Sequence, residues 1–421
     1  MLLLTLLVRL ELLGIKFICL RTFMLLGLPH IPTMKRVASI DIIRALTMLT
    51  MLFVNDFAGM SGLPHWLHHA AMKEDMLGFS DLVFPAFLFC VGLSIPFAIG
   101  ARYRKGDQPL QVIGHILGRT LALLVMGVFA MNLRGVEGGL SHAVFTLLAV
   151  AGFFLVWNVY PKRDNGRLPW WATVLRLAGV LLLAWLVLYK DLHGMPFRTG
   201  WWGILGLIGW AYLPCALAFV FLKGDFKKMT GFWILTLLLC VLNAVPAIPR
   251  DWSIRWMILS FWPGGWTHPA ICASGLFTSM LLIHSGDRPR KLAISYGMLA
   301  LAMFVLGLLS HPVWIISKIL ATPTWLFFCV AISVACFAVI WWIADVRGLT
   351  RWARPISPAG TATLTCYTIP YIWYAVQELL GAHWPPVLTA GIPGLIKAFV
   401  FSLIIIGLTW CFTKIHIKLK V

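Results

Sequence analysis

Long runs of apolar residues recur along the chain, and short links that hold most of the charged side chains separate them. Many of these runs exceed about 18 residues, the length at which a helix can cross a hydrocarbon core of roughly 30 Å. Backbone groups in lipid must be paired within the protein, and the runs are too long and too uniform for barrel strands. The pattern therefore predicts an all-α, polytopic membrane helix bundle with about 11–12 transmembrane helices.

We place the boundaries of the helices from the ends of the apolar runs. One membrane domain is expected over residues 34–421, because no soluble domain, low-complexity tract or clear repeat interrupts it. Residues 1–33 are apolar but broken by charges, and we interpret them as an N-terminal leader or an upstream misassigned start, with an extra anchor or an interfacial helix as alternatives. Met34 followed by Lys35-Arg36 is typical of a natural beginning. The twelve predicted helices lie at about 38–58, 80–100, 111–132, 142–160, 169–189, 200–222, 230–248, 266–284, 291–310, 324–345, 357–378 and 392–414.

The distribution of charge tests this count of helices. Lys and Arg alternate between successive links and tails, with 20 on one side of the predicted membrane and 7 on the other. The positive-inside rule then predicts that both termini are cytoplasmic. The same rule accounts for the net charge of +19, so no nucleic-acid partner is expected. Only 12% of the residues are charged, against about 25% in a soluble domain.

Ionisable side chains inside predicted helices are costly, so each needs a partner, a cavity or a function. Asp41 and Arg44 lie three apart on one face near the cytoplasmic end of the first helix, where a local ion pair explains them as well as a function does. His115 and Arg119 lie four apart at the cytoplasmic start of the third helix. A snorkelling arginine accounts for Arg119 about as well as phosphate binding does.

Three polar residues are predicted to meet at the outer membrane boundary. Asn55 ends the first helix, Asp81 opens the second, and His69 lies in the link between them. Both helix ends also fit simple capping roles, but a histidine beside a carboxylate can act as a general base. His65 and His68 complete three histidines in five residues, although adjacent positions diverge on a regular backbone. No metal site is expected, and the nine cysteines lack metal-ligand or disulfide-framework spacing.

Several segments resemble the heparan-alpha-glucosaminide N-acetyltransferase family and its bacterial relatives of DUF5009 type, which belong to a transmembrane acyltransferase superfamily. Residues 37–132 contain the specific match, and shorter similar segments follow at 317–325 and 360–367. The segments that resemble the family are SIDIIRALT at 39–47, FVN at 53–55, HA at 69–70, SDLVFPAFLFCVGLSIP at 80–96 and GRT at 118–120.

The resemblance implies a multipass acyltransferase that takes an acetyl group from cytosolic acetyl-CoA and delivers it to an amino-sugar or glycan acceptor across the membrane. It further implies a bacterial cytoplasmic (inner) membrane location, the lipid bilayer as surroundings, and a possible homodimer. The resemblance implies His69 as the catalytic histidine, with Asp81 and Asn55 lining the site. By extrapolation from the predicted topology, we expect the cofactor-binding set to be Arg44, Arg119, Asp41 and Lys318.

The chain departs from the family pattern at three places, which bears on the acceptor. The spacer between His69 and Asp81 is two residues longer than in the eukaryotic enzyme, residues 145–148 replace an expected Gln-Arg, and Ala362 replaces an expected Asn. His68 is a substitute for His69 if the alignment shifts by one. A twelve-helix secondary transporter is the alternative function, because both termini inside is a common carrier layout, and a catalytically silent scaffold is a third.

Overall fold

The structure is a computed structural model, and it describes residues 37–136, 139–161, 168–200, 203–245, 262, 265–286 and 288–421. The predicted leader at 1–33 lies outside the described residues. So do seven of the basic residues that enter the topology count, namely Lys35, Arg36, Lys162, Arg163, Arg167, Arg250 and Arg255.

The described residues fold into helices, and the only bridges among them are two isolated pairs, Ser61 with Ala390 and Asn158 with Leu419. The predicted all-α membrane bundle is therefore confirmed. In chain order the helices are α1 (Ala38–Phe57), α2 (Phe79–Arg104), α3 (Pro109–Ala130), α4 (His142–Trp157), α5 (Trp170–Leu192), α6 (Ile204–Phe221), α7 (Phe226–Ala244), α8 (Thr267–Ser285), α9 (Pro289–Ser310), α10 (Pro323–Trp341), α11 (Ser357–Thr361), α12 (Thr363–Leu379) and α13 (Gly391–Lys414).

Each of the twelve predicted segments contains a helix, and the eleventh is broken at Ala362 into the short α11 and the longer α12. Nine of the described helices are long and apolar enough to cross a membrane. One of the nine is α10, which a π-helical turn extends to Val346. Helix α4 is apolar but has only 16 residues. Helix α8 is buried from Thr267 to Met280, so its serine and threonine side chains contact protein rather than lipid.

Glycines bring the backbones of α2 and α8 into direct contact at the centre of the bundle. A Cβ atom on Gly92 would lie 1.9 Å from the carbonyl oxygen of Cys272, and one on Gly275 would lie 2.0 Å from that of Phe89. Because lipid supplies no hydrophobic force between helices, such close packing of small residues is a main source of helix association in membranes. These contacts fix α2, which contributes Asp81 to the candidate site.

The two ends of α1 define two faces of the bundle. The end of α1, the start of α2 and the links at 58–78 and 311–322 lie together, and we call this end the His69 face. The start of α1, the second half of α2 and the α11–α12 break meet at the opposite end, which we call the Arg44 face. Arg44 and Asn55 are 11 positions apart on α1, a separation of about 16 Å along the helix axis.

Candidate active site

The link between α1 and α2 folds tightly over the start of α2. The Ser80 hydroxyl donates a hydrogen bond to the carbonyl oxygen of Leu67 at 2.5 Å. A Cβ atom on Gly78 would lie 2.1 Å from the carbonyl oxygen of His68, so only glycine allows the chain to pass here. The fold of the link therefore holds residues 67–70 beside the first turn of α2.

His69 and Asp81 form a hydrogen-bonded pair in this fold. The distance from His69 Nδ1 to Asp81 Oδ1 is 2.7 Å, and the Ala70 amide donates to Asp81 Oδ2 at 3.0 Å. Asp81 is 1% exposed, whereas 42% of the His69 side chain is exposed. A carboxylate that accepts from Nδ1–H fixes the imidazole tautomer and leaves Nε2 with a lone pair. The buried acid thus orients an exposed base.

Lys318 is the third member of this cluster. Its Nζ lies 3.2 Å from His69 Nδ1 and 3.7 Å from Asp81 Oδ1. Since Nδ1–H donates to Asp81, the ammonium acts on the carboxylate as an ion-pair partner and on the ring as a neighbouring positive charge. Burial lowers the pKa of Lys318, and the attraction of Asp81 opposes that shift. The cluster therefore combines one buried acid, one exposed base and one half-buried cation.

A latch between two links places Lys318. Asp75 accepts the Ile316 amide at 2.8 Å and lies 2.8 Å from His311 Nε2. The Ser317 hydroxyl donates to the carbonyl oxygen of Met72 at 2.9 Å. The Ile316 N–H, followed by His311, lowers the pKa of Asp75 below its ordinary value. These contacts seat the 311–322 link on the 58–78 link.

Asn55 lies on the His69 face but outside the hydrogen-bonded cluster. Its side chain is exposed in the last turn of α1, and within the described ranges it makes no hydrogen bond with His69 or Asp81. The next residue, Asp56, is tied to α13 and α12 through Lys397 at 2.6 Å and the Tyr374 hydroxyl at 2.7 Å. Sequence reasoning missed Asp56 and Lys397, and an acid–base pair in apolar helices was the signal that could have found them.

The predicted cofactor-binding residues divide between the two faces. Arg44 pairs with Asp41 and donates to the Gly360 carbonyl at 2.7 Å and to the Ser94 hydroxyl at 3.4 Å. These contacts join α1, α2 and α11 at the Arg44 face. Lys318, in contrast, lies at the His69 face beside the proposed base.

Arg119 lies between α3 and α6, apart from Arg44. Its guanidinium carbon is 4.6 Å from the centre of the Tyr212 ring, and its buried Nε has no hydrogen-bond partner among the described residues. One turn before Arg119 on α3 lies His115, and its Nε2 is 2.9 Å from Nη1 of Arg102 at the end of α2. The same Nη1 atom is 3.4 Å from Asp107. An Nε–H donor without a partner and nearby cations are features that suit an anionic ligand.

The three histidines of the 58–78 link point to different partners. His65 Nε2 lies 3.3 Å from Glu74, and the His68 ring packs 6.5 Å from the Phe57 ring. In the part of the chain that the structure describes, no three His, Cys, Asp or Glu side chains converge on a common point.

Comparison with known proteins supports the family resemblance. Residues 36–243 match the family model described as "Domain of unknown function (DUF5009)". The chain is 28% identical to heparan-alpha-glucosaminide N-acetyltransferase of Mus musculus over 199 residues, which is 41% of this chain and 29% of that protein. It is 31% identical to the protein of the same name from Homo sapiens over 107 residues, 25% of this chain and 15% of that protein. The match thus spans less than a third of each relative. Residues 36–243, just under half of the chain, are therefore similar to the DUF5009 family. The chain is an integral multi-pass membrane protein that resembles the heparan-alpha-glucosaminide N-acetyltransferases over part of its length.

Proposed function

We propose that this protein transfers an acetyl group from cytosolic acetyl-CoA to an amine or hydroxyl of a sugar at the opposite face of the membrane. The observation that carries the proposal is the hydrogen bond between the exposed His69 and the buried Asp81, 2.7 Å long. The relatives' printed name, an N-acetyltransferase acting on a glucosaminide, supports the same reaction class.

In the proposed reaction, His69 Nε2 removes a proton from the acceptor N–H or O–H as that atom attacks the thioester carbonyl. The new bond to the acyl carbon forms, the carbon–sulfur bond breaks, and the CoA thiolate takes the proton from the imidazolium. In the alternative order, Nε2 first takes the acyl group and then passes it to the acceptor. Asp81 stabilises the imidazolium in both orders.

Lys318 and Asn55 complete the proposed site. Lys318 places a positive charge 3.2 Å from the ring and 3.7 Å from the carboxylate that orients it. As a member of the cofactor-binding set, Lys318 would meet the thioester end of the donor rather than its phosphates. Asn55 is proposed to donate a hydrogen bond to the developing oxyanion from the exposed end of α1.

The donor is proposed to enter from the Arg44 face. Arg44 and Arg119 are the proposed partners of the CoA phosphates, and Asp41 holds the Arg44 guanidinium in place. Arginine suits this role because its planar donors match phosphate oxygens. The acyl arm of the donor would then extend along α1, over roughly 16 Å, to reach the His69 face.

The proposal includes a location and an orientation. We place the protein in a bacterial cytoplasmic membrane with both termini in the cytoplasm, from the alternation of basic links. Single-cysteine labelling at position 65 in intact cells should succeed with a membrane-impermeant reagent, while labelling at position 105 should require permeabilised cells. A homodimer and the single domain at 34–421 stay predictions.

The decisive test of the reaction replaces His69 by Ala in purified protein supplied with radiolabelled acetyl-CoA and an amino-sugar acceptor. We expect the transfer of label to fall about 10²–10⁴-fold, because that is the usual contribution of a general base and the proton of the attacking group then has no acceptor. His68→Ala is the matched control and should retain most activity. Normal turnover in the His69 variant, or loss only in the His68 variant, would refute the assignment.

One observation favours the alternative function as a carrier. The break at Ala362 between α11 and α12, beside Arg44, is the kind of discontinuous helix that forms substrate sites in transporters. Reconstituted protein should then accumulate solute inside liposomes without consuming acetyl-CoA. A catalytically silent scaffold would show neither accumulation nor acetyl transfer.

A further inference from the structure

A groove between α12 and α13 opens on the outside of the bundle. Its cavity volume is about 450 Å³, within the range of about 300–1,000 Å³ for small-molecule sites. Apolar side chains line the deep end, among them Ile369, Ile372, Leu408 and Phe412. From Ile369 to Leu380 the α12 wall rises about 16 Å, so the groove has the length and the lining for one hydrocarbon chain.

The shallow end of the groove is polar and lies on the His69 face. Gln377, His383 and Trp384 line it. The Oε1 atom of Gln377 is buried and has no hydrogen-bond partner among the described residues. An unsatisfied buried acceptor is costly, and it calls for a ligand that donates an O–H or N–H at this depth.

The charges at this end argue against a phosphate head group. The nearby cation, Lys397, lies 2.6 Å from Asp56 in a pair whose side chains are 9% and 3% exposed, and it lies 5.4 Å from the centre of the Trp384 ring. No Lys or Arg is among the described residues that line the groove. A phosphodiester carries no donor for the Gln377 oxygen and meets no lining Lys or Arg among these residues, whereas a sugar offers hydroxyl donors and a face that packs on an aromatic ring.

The groove and the candidate site share one element of structure. Asp56, which the Tyr374 hydroxyl and Lys397 bind, follows Asn55 in the last turn of α1. The Gly391 amide at the start of α13 donates to the Ser61 carbonyl at 2.9 Å, so the link that contains His69 is also tied to α13. A head group held at the shallow end would therefore lie on the face where acyl transfer is proposed.

We propose that this groove binds a phosphate-free, sugar-headed lipid, with one hydrocarbon chain between α12 and α13 and a sugar hydroxyl or amine donating to Gln377. The inference rests on the proposed function for its second part, that the acceptor arrives as an amino-sugar glycolipid from within the membrane.

Photo-crosslinking without any acyl donor tests the binding. The full chain in nanodiscs is exposed to an alkyl glucosaminide with a diazirine in its tail, and to a phosphate-headed lipid with the same tail. We expect the glucosaminide to label α12 and α13 along the groove and to be competed by unlabelled glucosaminide. Gln377→Leu should lower glucosaminide labelling about three- to tenfold, as one lost hydrogen bond predicts, and leave the weaker phosphate-lipid labelling unchanged.

Filling the groove gives a second, independent variant. Leu408→Trp should lower glucosaminide labelling at least about fivefold, while Leu403→Trp on the exposed side of α13 is the matched control and should not. Unchanged elution and thermal stability establish that each variant is folded. Labelling spread equally over the exposed faces of α5 and α9, or a phosphate-headed lipid retained as well as the glucosaminide, would overturn the proposal.

The two proposals fail in distinguishable ways. His69→Ala should keep groove labelling and lose acetylation of the glucosaminide, which supports both. If groove labelling persists and the wild type acetylates a soluble amino sugar but never the bound lipid, the acceptor role of the lipid is overturned while the acyl transfer stands. If it acetylates neither, the proposed function is overturned while the binding of the lipid stands. If Leu408→Trp acetylates the alkyl glucosaminide at the wild-type rate, the groove is overturned as the acceptor site while the acyl transfer stands.

Discussion

Two acid–base clusters, one at each end of α1, use the same residue chemistry in opposite ways. At the His69 face the acid is buried at 1% exposure and the base is 42% exposed. At the Arg44 face the two side chains are almost equally accessible, 27% for Arg44 and 26% for Asp41. The first arrangement holds the carboxylate rigidly and presents the base to a ligand, whereas the second is a local pair whose remaining arginine donors bind other helices.

The difference follows from the hydrogen bonds that each cluster makes with the backbone. Asp81 accepts the Ala70 amide on one oxygen and the imidazole on the other, so its position fixes that of His69. Arg44 uses its Nε–H on the Gly360 carbonyl, so this cation is also a tie between α1 and α11. Catalysis is therefore expected to depend on geometry at the first cluster and on affinity at the second.

The largest effect should come from Asp81→Asn. The amide can still approach His69, but it no longer stabilises the imidazolium and allows the wrong ring tautomer, so we expect kcat to fall about 10³–10⁴-fold. Initial rates at saturating acetyl-CoA measure this loss. Glu74→Gln is the control, because Glu74 caps the Ala71 amide nearby without touching His69. A loss of kcat below about tenfold would exclude a catalytic role for the pairing of Asp81 with His69.

The next effect concerns the charge of Lys318. Lys318→Gln removes the cation that lies 3.7 Å from Asp81 Oδ1 and 3.2 Å from the His69 ring. We expect kcat/KM to fall about tenfold, as the loss of one charged contact predicts. Initial rates at low acetyl-CoA measure this loss, and Lys318→Arg, which keeps the charge, should restore most of the rate. An unchanged kcat/KM in Lys318→Gln would exclude this electrostatic role.

A smaller effect is expected at the opposite cluster. Arg44→Lys keeps the charge but loses the planar donors that reach both Asp41 and Gly360, so KM for acetyl-CoA should rise about three- to tenfold with kcat little changed. Steady-state kinetics with acetyl-CoA as the varied substrate measure the two constants separately. Ser94→Ala is the control, because it removes the weak 3.4 Å contact with Arg44 and a hydrogen bond within α2 to the Cys90 carbonyl but leaves Asp41 and Gly360 in place. A fall in kcat with KM unchanged would place Arg44 outside donor binding.

The two clusters also show what the sequence could and could not predict. Helix positions follow from the length of the apolar runs alone, so the predicted segments coincide closely with the helices of the described residues. The 12-residue separation of His69 and Asp81 was enough to suggest a pair. Lys318 is 249 positions from His69, and no local pattern encodes such a contact. The break at Ala362 was missed because its cause is a tertiary approach, in which a Cβ atom on Gly360 would lie 2.5 Å from the Asp41 carbonyl oxygen.

The smallest effect should come from the latch that carries Lys318. Asp75→Asn weakens the hydrogen bonds to Ile316 and His311, so the 311–322 link should be held less firmly. We expect kcat to fall only about two- to fivefold, because Ser317 still binds Met72. Hydrogen exchange at the Ile316 amide should accelerate in parallel. The sign of the pH dependence of the wild-type latch follows from the folded-state pKa of Asp75, which lies below its ordinary value. The stabilisation that Asp75 gives to the folded state is therefore complete above the unfolded pKa of about 3.9. It disappears as the pH falls through the lower folded-state pKa. In Asp75→Asn the protection factor of the Ile316 amide should therefore be the same on both sides of that window. If exchange at Ile316 accelerates and kcat/KM falls only about two- to fivefold, the latch supports the position of Lys318 without being required for it. If Asp75→Asn reproduces the roughly tenfold loss of Lys318→Gln, the latch and the cation act as one unit.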